Sequence, residues 1–224
     1  MTTYVTLIVD ESGSMGSIRE SAISMYNAQL KALRVANERI GGETRVTLIS
    51  FNEKHKVLFE DIPVEEIPLL QDHDYLPNGG TAMYDTIAYG VERQLTSHKL
   101  QEDDAVLFLI ITDGEENSSE RHKGNSGLHY IKGLLDAVQF TSQWTVTFMG
   151  TEDALKERES LNIGLGNSYT WTTGNVPSVL NASVSSIDNY YSSRAMGETS
   201  TASFFTPPKT TDEVLRDAYE QSAP

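Results

Sequence analysis

Asp10, Ser12 and Ser14 stand at alternate positions directly after the apolar run Val5-Thr6-Leu7-Ile8-Val9. One carboxylate and two hydroxyls on the turn that leaves a buried strand can converge on a single point. Hard oxygen donors of this kind suit a small hard cation such as Mg²⁺ or Mn²⁺. Two later segments, each at a strand end or in a loop, carry matching oxygens: Asn78-Gly79-Gly80-Thr81 and Thr112-Asp113-Gly114. Taken alone, Asp-x-Ser-x-Ser is most simply a turn or a helix cap, Thr81 the N-cap of the next helix, and Asp113-Gly114 a strand-ending turn. Three pieces directed at one site outweigh those separate explanations.

The parts that catalysis needs are missing. There is no Gly-x-x-x-x-Gly-Lys-Ser/Thr phosphate loop, and no Gly-x-Ser-x-Gly elbow, because Ser12 fills the first glycine position around Ser14. Phosphatases of the haloacid-dehalogenase type commonly need a second carboxylate two residues after the first, where this chain has Ser12. No motif places a histidine or lysine as a general base. His55, His73, His98, His122 and His129 lack metal-ligand spacing and read as surface or hydrogen-bonded residues. Asp103-Asp104 and Glu115-Glu116 read as solvated faces or turns, with Glu115 near enough to Asp113 to lie at a rim.

The elements that would position these groups alternate in type. Strands are expected at 5–9, 44–51, 105–111 and 144–149, with a hairpin partner at 56–59 and an edge strand at 169–171. Helices are expected at 17–40, stopped by Gly41-Gly42, and at 82–97, 128–140, 152–159 and 177–191. Pro63 and Pro68 interrupt regular structure, and a polar loop covers 115–127. Trp144 and Trp171 sit in apolar strand contexts and read as packing residues. The order predicts an α/β fold: a Rossmann-like, doubly wound, mostly parallel central sheet with one antiparallel edge strand and helices on both faces. Such sheets bind ligands beyond the carboxyl ends of their strands, where Asp10 and Asp113 stand. The domain is expected to span 2–192. A polar tail covers 193–224, with room for a short docking helix at 212–221.

Composition bounds the rest. The chain has 224 residues, 38% hydrophobic and 22% charged, as expected for a soluble globular domain with a tail. No apolar run approaches the ~20 residues of a membrane helix. Met1-Thr2-Thr3-Tyr4 lacks a basic region, and removing a leader there would delete the first strand together with Asp10. Zero cysteines exclude disulfides and thiolate chemistry, so a cytoplasmic location is expected. Seventeen basic against 32 acidic residues give a net charge of −15. That field disfavours nucleic acid and anionic membranes, and favours cations and basic partner surfaces. The same charge also serves solubility alone.

Asp10-x-Ser12-x-Ser14, Thr81 after Gly79-Gly80, and Thr112-Asp113-Gly114 resemble the metal-ion-dependent adhesion site of the von Willebrand factor A domain family, over roughly residues 2–192. The resemblance implies that Ser12 and Ser14 coordinate a cation, Mg²⁺ or Mn²⁺, directly. It implies that Asp10 and Asp113 act largely through bound water, and Thr81 directly or through water. A partner's Asp or Glu carboxylate would complete the coordination, giving a protein-interaction adaptor, with a structural subunit or a metal-dependent hydrolase as alternatives. In this family a change between Thr81-bound and Asp113-bound arrangements can move the last helix. Stand-alone bacterial and phage members imply partners such as AAA-type ATPases, kinases and phosphatases, or stress systems of the tellurium-resistance type. The loops around 72–75 and 115–127 would flank the metal and select the partner.

Overall fold

A computed structural model describes residues 1–172 and 175–205. The docking helix expected at 212–221 lies outside the described residues.

Six strands form one sheet: β1 (Thr2–Asp10), β2 (Glu43–Phe51), β3 (His55–Pro63), β4 (Ala105–Thr112), β5 (Trp144–Gly150) and β6 (Ser168–Thr170). Their order is β3-β2-β1-β4-β5-β6, with every pairing parallel except the antiparallel β2–β3 edge. The chain thus starts in the centre, winds to one edge and returns to build the other half. β1 and β4 are the neighbours at which the winding reverses. A crevice opens there beyond the carboxyl ends, and Asp10 and Asp113 lie at it.

The helices are α1 (Arg19–Ile40), α2 (Met83–Ser97), α3 (Gly124–Phe140), the short α4 (Leu155–Ser160) and α5 (Val176–Ala195). Strand alternation divides the core. Val5, Leu7 and Val9 pack with Met25, Leu30, Leu33 and Ile187 of α1 and α5. Ile8, Phe108 and Ile110 point the other way, onto Ile87 and Val91 of α2 and Ile131 and Leu135 of α3. β4 is buried at all eight positions, as a strand covered on both faces must be. Trp144 and Trp171, at 3% and 0% exposure, are packing residues as expected.

Several boundaries differ from expectation. A 3-10 turn, Gly13–Ile18, precedes α1 and absorbs residue 17, from which the long helix was expected. β3 runs on to Pro63, which an edge strand tolerates because that position needs no ladder N–H. α3 starts at Gly124, four residues before the expected 128. Gly127 lies so close to the His122 carbonyl that a Cβ there would sit 1.9 Å from its oxygen. A residue type that reads as a breaker instead lets the first turn fold back on the loop.

α5 continues to Ala195, and the following chain stays on the domain. Phe204 and Phe205 are buried, Phe204 against Tyr190 and Phe205 against Tyr169, and Phe205 N–H donates to the Gly166 carbonyl at 2.8 Å. Arg194, 1% exposed, reaches from α5 to the start of the sheet. Its guanidinium donates to the Asp103 carbonyl at 2.6 Å and to Thr3 Oγ1 at 3.3 Å. Asp104, expected in a solvated turn, is 5% exposed and accepts from the Thr2 N–H at 2.8 Å and the Gln101 N–H at 3.0 Å.

Candidate metal centre

Asp10 ends β1 with its carboxylate fully buried. The Ser12 N–H donates to Oδ1 at 2.7 Å and the Thr112 hydroxyl to Oδ2 at 2.6 Å. Both oxygens are therefore oriented by the two central strands. The Tyr75 hydroxyl also donates to the Asp10 carbonyl, bracing the turn from the 72–75 loop.

From this base the hydroxyls converge as the alternate spacing predicts. Ser12 Oγ and Ser14 Oγ lie 3.1 Å apart, and Ser14 Oγ donates to Asp113 Oδ1 at 2.7 Å. Ser12 is the residue before the 3-10 turn, yet its side chain caps nothing and stays in this cluster. Asp113 is held from behind, its carbonyl accepting from the Thr151 hydroxyl at 2.7 Å.

Thr81 closes the third side. A Cβ built on Gly114 would lie 3.7 Å from both Ser14 Oγ and Thr81 Oγ1, which brings the two hydroxyls to the same small space. Thr81 is 2% exposed and is not the N-cap of α2: that position is Ala82, with no side-chain cap bond. Its backbone is clamped instead by Asn117, whose side chain accepts from Thr81 N–H at 2.8 Å while the Asn117 and Ser118 N–H groups donate to the Thr81 carbonyl at 3.0 and 3.1 Å. Gly80 permits this clamp, since a Cβ there would come within 2.1 Å of Ser118 Oγ. The first and second segments are joined directly. Gly13 N–H donates to the Gly79 carbonyl and Asn78 N–H to the Glu11 carbonyl. Asp10, Ser12, Ser14, Thr81 and Asp113 thus come together at one end of the sheet, the first three and Asp113 linked by hydrogen bonds and Thr81 beside Ser14 across Gly114.

The donor set fits a small hard cation. Octahedral Mg²⁺ with bonds of 2.0–2.1 Å has adjacent ligand oxygens about 2.9 Å apart. The Ser12–Ser14 and Ser14–Asp113 separations bracket that edge. Electrostatics point the same way. Burial pushes the Asp10 carboxyl up to about 6, against the lowering effect of its bonds to Thr112 and Ser12. Burial also raises Asp113, with the nearby Asp153 charge adding to it and the Ser14 hydroxyl opposing it. A buried Asp10 carboxylate beside a half-buried Asp113, neither in an ion pair among the described residues, is what a cation relieves. Among the described residues no cluster of three or more His, Cys, Asp or Glu side chains could hold a metal, so any cation here relies on the hydroxyls.

Glu116 departs from expectation. Its carboxylate is not solvated but accepts from the N–H groups of Tyr84, Ser118 and Ser119 and from the Ser119 hydroxyl. It organises the loop that clamps Thr81. Asp85 does the same one turn on, accepting from the N–H groups of Glu120, Arg121 and His122. Sequence reasoning missed both, and Thr112 as the partner of Asp10. The run Glu116-Asn117-Ser118-Ser119 carries a local signal: a carboxylate two and three residues before serine N–H groups. His122, 8% exposed, is hydrogen-bonded to Asp85 and stacks on Tyr130.

No protein-family model matches the sequence, and no curated protein matches it. Solved structures do. A von Willebrand factor type A protein from Catenulispora acidiphila aligns with a TM-score of 0.56 at 15% identity, over 84% of this chain and 42% of that one. The PilB minor pilin of Streptococcus sanguinis aligns with a TM-score of 0.57 at 15% identity, over 93% of this chain and 64% of that one. The proximal thread matrix protein 1 of the mussel byssus, solved with zinc in its metal-ion-dependent adhesion site, aligns at 0.50 and 13% identity, over 82% of this chain and 46% of that one. The chain spans less than two thirds of each of these structures. The likeness shows the fold: this chain has the von Willebrand factor A architecture. Among the described residues no helix is long and apolar enough to cross a membrane.

Proposed function

We propose that this chain, built on the von Willebrand factor A fold, is a metal-dependent protein-interaction module. Asp10, Ser12, Ser14, Thr81 and Asp113 would hold a divalent cation, Mg²⁺ or Mn²⁺, and an Asp or Glu carboxylate from a partner protein would complete its coordination. The observation that carries this reading is the continuous chain Ser12 Oγ–Ser14 Oγ–Asp113 Oδ1 beside the buried Asp10 carboxylate. With Asp10 and Asp113 acting largely through bound water and the hydroxyls bound directly, the cation has few direct anionic ligands and attracts a carboxylate from a partner. The byssus protein, which shares this fold and was solved with zinc in its adhesion site, supports a divalent cation as the ligand.

The enzymatic reading is the alternative, and the sequence offers it no motif that places a histidine or lysine as general base. A structural role for the cation draws on the buried Asp10 charge, and the same experiment separates it. The reading places the module in the cytoplasm, on the strength of a cysteine-free sequence. Its partners there would be proteins such as AAA-type ATPases or components of a stress or defence system.

The test is a pull-down from native lysate in Mg²⁺, in EDTA, and with Asp10→Ala, read by mass spectrometry alongside calorimetric Mg²⁺ and Mn²⁺ titration of each protein. A protein retained by the wild type in Mg²⁺ and lost in both other arms supports the bridge. Cation binding with partners indifferent to EDTA and to Asp10→Ala assigns the metal a structural role.

A further inference from the structure

A pocket of about 340 Å³ opens beside the metal centre. Ala82, the residue after Thr81, walls one side, and the turn at Glu53 and Lys54 the other. The two walls are tied together, since Ala82 N–H donates to the Asn52 carbonyl at 2.7 Å. Glu53 also lies against the metal-site loop, 3.3 Å from where a Cβ on Gly79 would stand. The pocket is therefore continuous with the loop that carries Thr81.

Its lining has a particular chemistry. The His55 and Tyr89 rings stack with centroids 4.2 Å apart and planes at 25°, giving an aromatic wall. Burial lowers the His55 pKa, so the ring is neutral at pH 7 and does not repel a cation. The Glu53 and Glu120 carboxylates stand exposed at the mouth, and among the described residues neither is in an ion pair. Asp85 adds a third carboxylate, already fixed by backbone N–H groups. Of the two basic residues, Arg121 pairs with Glu92 at 3.4 Å, which leaves Lys54 to offset three negative charges.

We propose that this pocket receives an arginine side chain from the same partner segment that presents the carboxylate to the cation. The recognised element is then an acidic residue with an arginine two to four positions away. A planar guanidinium stacks on an aromatic face and forks onto carboxylates, which an ammonium does less well. Two to four residues of extended chain span about 7 to 14 Å, and the pocket begins at Ala82, one residue from Thr81. The inference rests on the metal-bridge reading for the acidic half of the motif, while the pocket itself stands on its own lining.

The experiment uses the isotopically labelled full chain and three blocked peptides, Arg-Ala-Ala-Asp, Gln-Ala-Ala-Asp and Arg-Ala-Ala-Asn, each titrated by NMR in Mg²⁺ and in EDTA. The arginine–aspartate peptide should bind in Mg²⁺ about fivefold tighter than its glutamine counterpart, and should move the ring resonances of Tyr89 and His55. In the Glu53→Gln/Glu120→Gln double variant that advantage should vanish while the glutamine peptide keeps its affinity. Equal binding of the two peptides, an advantage that survives in the double variant, or no detectable binding of either arginine peptide overturns the proposal. The two readings fail separately. An arginine advantage that persists in EDTA and with the asparagine peptide keeps the pocket and removes the metal bridge. A Mg²⁺-dependent gain from aspartate without any arginine advantage does the reverse.

Discussion

Ser14 and Asp113, 99 positions apart in sequence, are joined by a hydroxyl-to-carboxylate bond of 2.7 Å across the mouth of the β1–β4 crevice. The bond is solvent-exposed, so its contribution to stability is small, while its contribution to the shape of the cation site is not. Ser14→Ala is expected to leave the melting temperature nearly unchanged and to lower Mg²⁺ affinity at least tenfold, about 1.4 kcal/mol. Calorimetric titration beside a thermal melt checks both halves. Unchanged affinity would remove Ser14 from the ligand set.

Thr112 should behave in the opposite way. Its hydroxyl donates to the buried Asp10 carboxylate at 2.6 Å, and the residue is fully buried. Thr112→Val keeps the shape and leaves the carboxylate short of a donor, which costs about 1–3 kcal/mol. Urea denaturation in EDTA measures it.

The Asp10 carboxyl gives stability a pH signature in the cation-free protein. Burial pushes its pKa in the fold up to about 6, above the ordinary 3.8 of an aspartate. The native state therefore binds the proton more tightly than the unfolded chain does. Stability conferred by that proton is present below about pH 4, falls as pH rises through the interval up to about 6, and is flat beyond. Raising the carboxyl from 3.8 to about 6 corresponds to about 3 kcal/mol. Asp113 and Glu157, also raised by burial, slope in the same direction. The diagnostic quantity is thus the difference between wild type and Asp10→Asn in EDTA, measured by chemical denaturation from pH 4 to 7. A difference that does not change with pH would show that Asp10 is not the titrating group.

Gly80 offers a test of the second layer around the site. Gly80→Ala would drive a Cβ to within 2.1 Å of Ser118 Oγ and 2.8 Å of Asn117 Oδ1, displacing the clamp on Thr81. We expect weaker cation binding than wild type and a lowered melting temperature. Adding Ser118→Ala should recover part of both, since it removes the nearer obstacle.

The halves of the fold differ in how far the sequence discloses them. β1 and β4 hold near-continuous apolar runs whose burial on both faces leaves little choice, and Asp10 and Asp113 follow those runs directly. β3 reads poorly because its sequence, His-Lys-Val-Leu-Phe-Glu-Asp-Ile-Pro, belongs to an edge with register irregularities, where alternation is lost. The ligand positions were legible because each sits on a local turn. Their supports were less so: Glu116 reaches the Tyr84 N–H and Asp85 the N–H groups of Glu120 and His122 across 32 to 37 positions, a distance at which no local pattern operates, and only the bonds from Ser118 and Ser119 to Glu116 had a local signal. Phe204 and Phe205 were overlooked inside a polar stretch, although two adjacent aromatics there are themselves a sign of docking.

The reach of Arg194 to Thr3 and Asp103 has a consequence for how the molecule is made. β1 leaves the ribosome well before two of its partners, β4 and the guanidinium of α5, which emerge about 100 and 190 residues afterwards. A chain released just past β4 already carries Asp10, Ser12, Ser14, Thr81 and Asp113, yet one face of its central strand still lacks α5. Such non-local closure slows folding and leaves a buried strand open in the interim. Truncations within α5 should accordingly aggregate during synthesis, even though they contain every residue of the cation site.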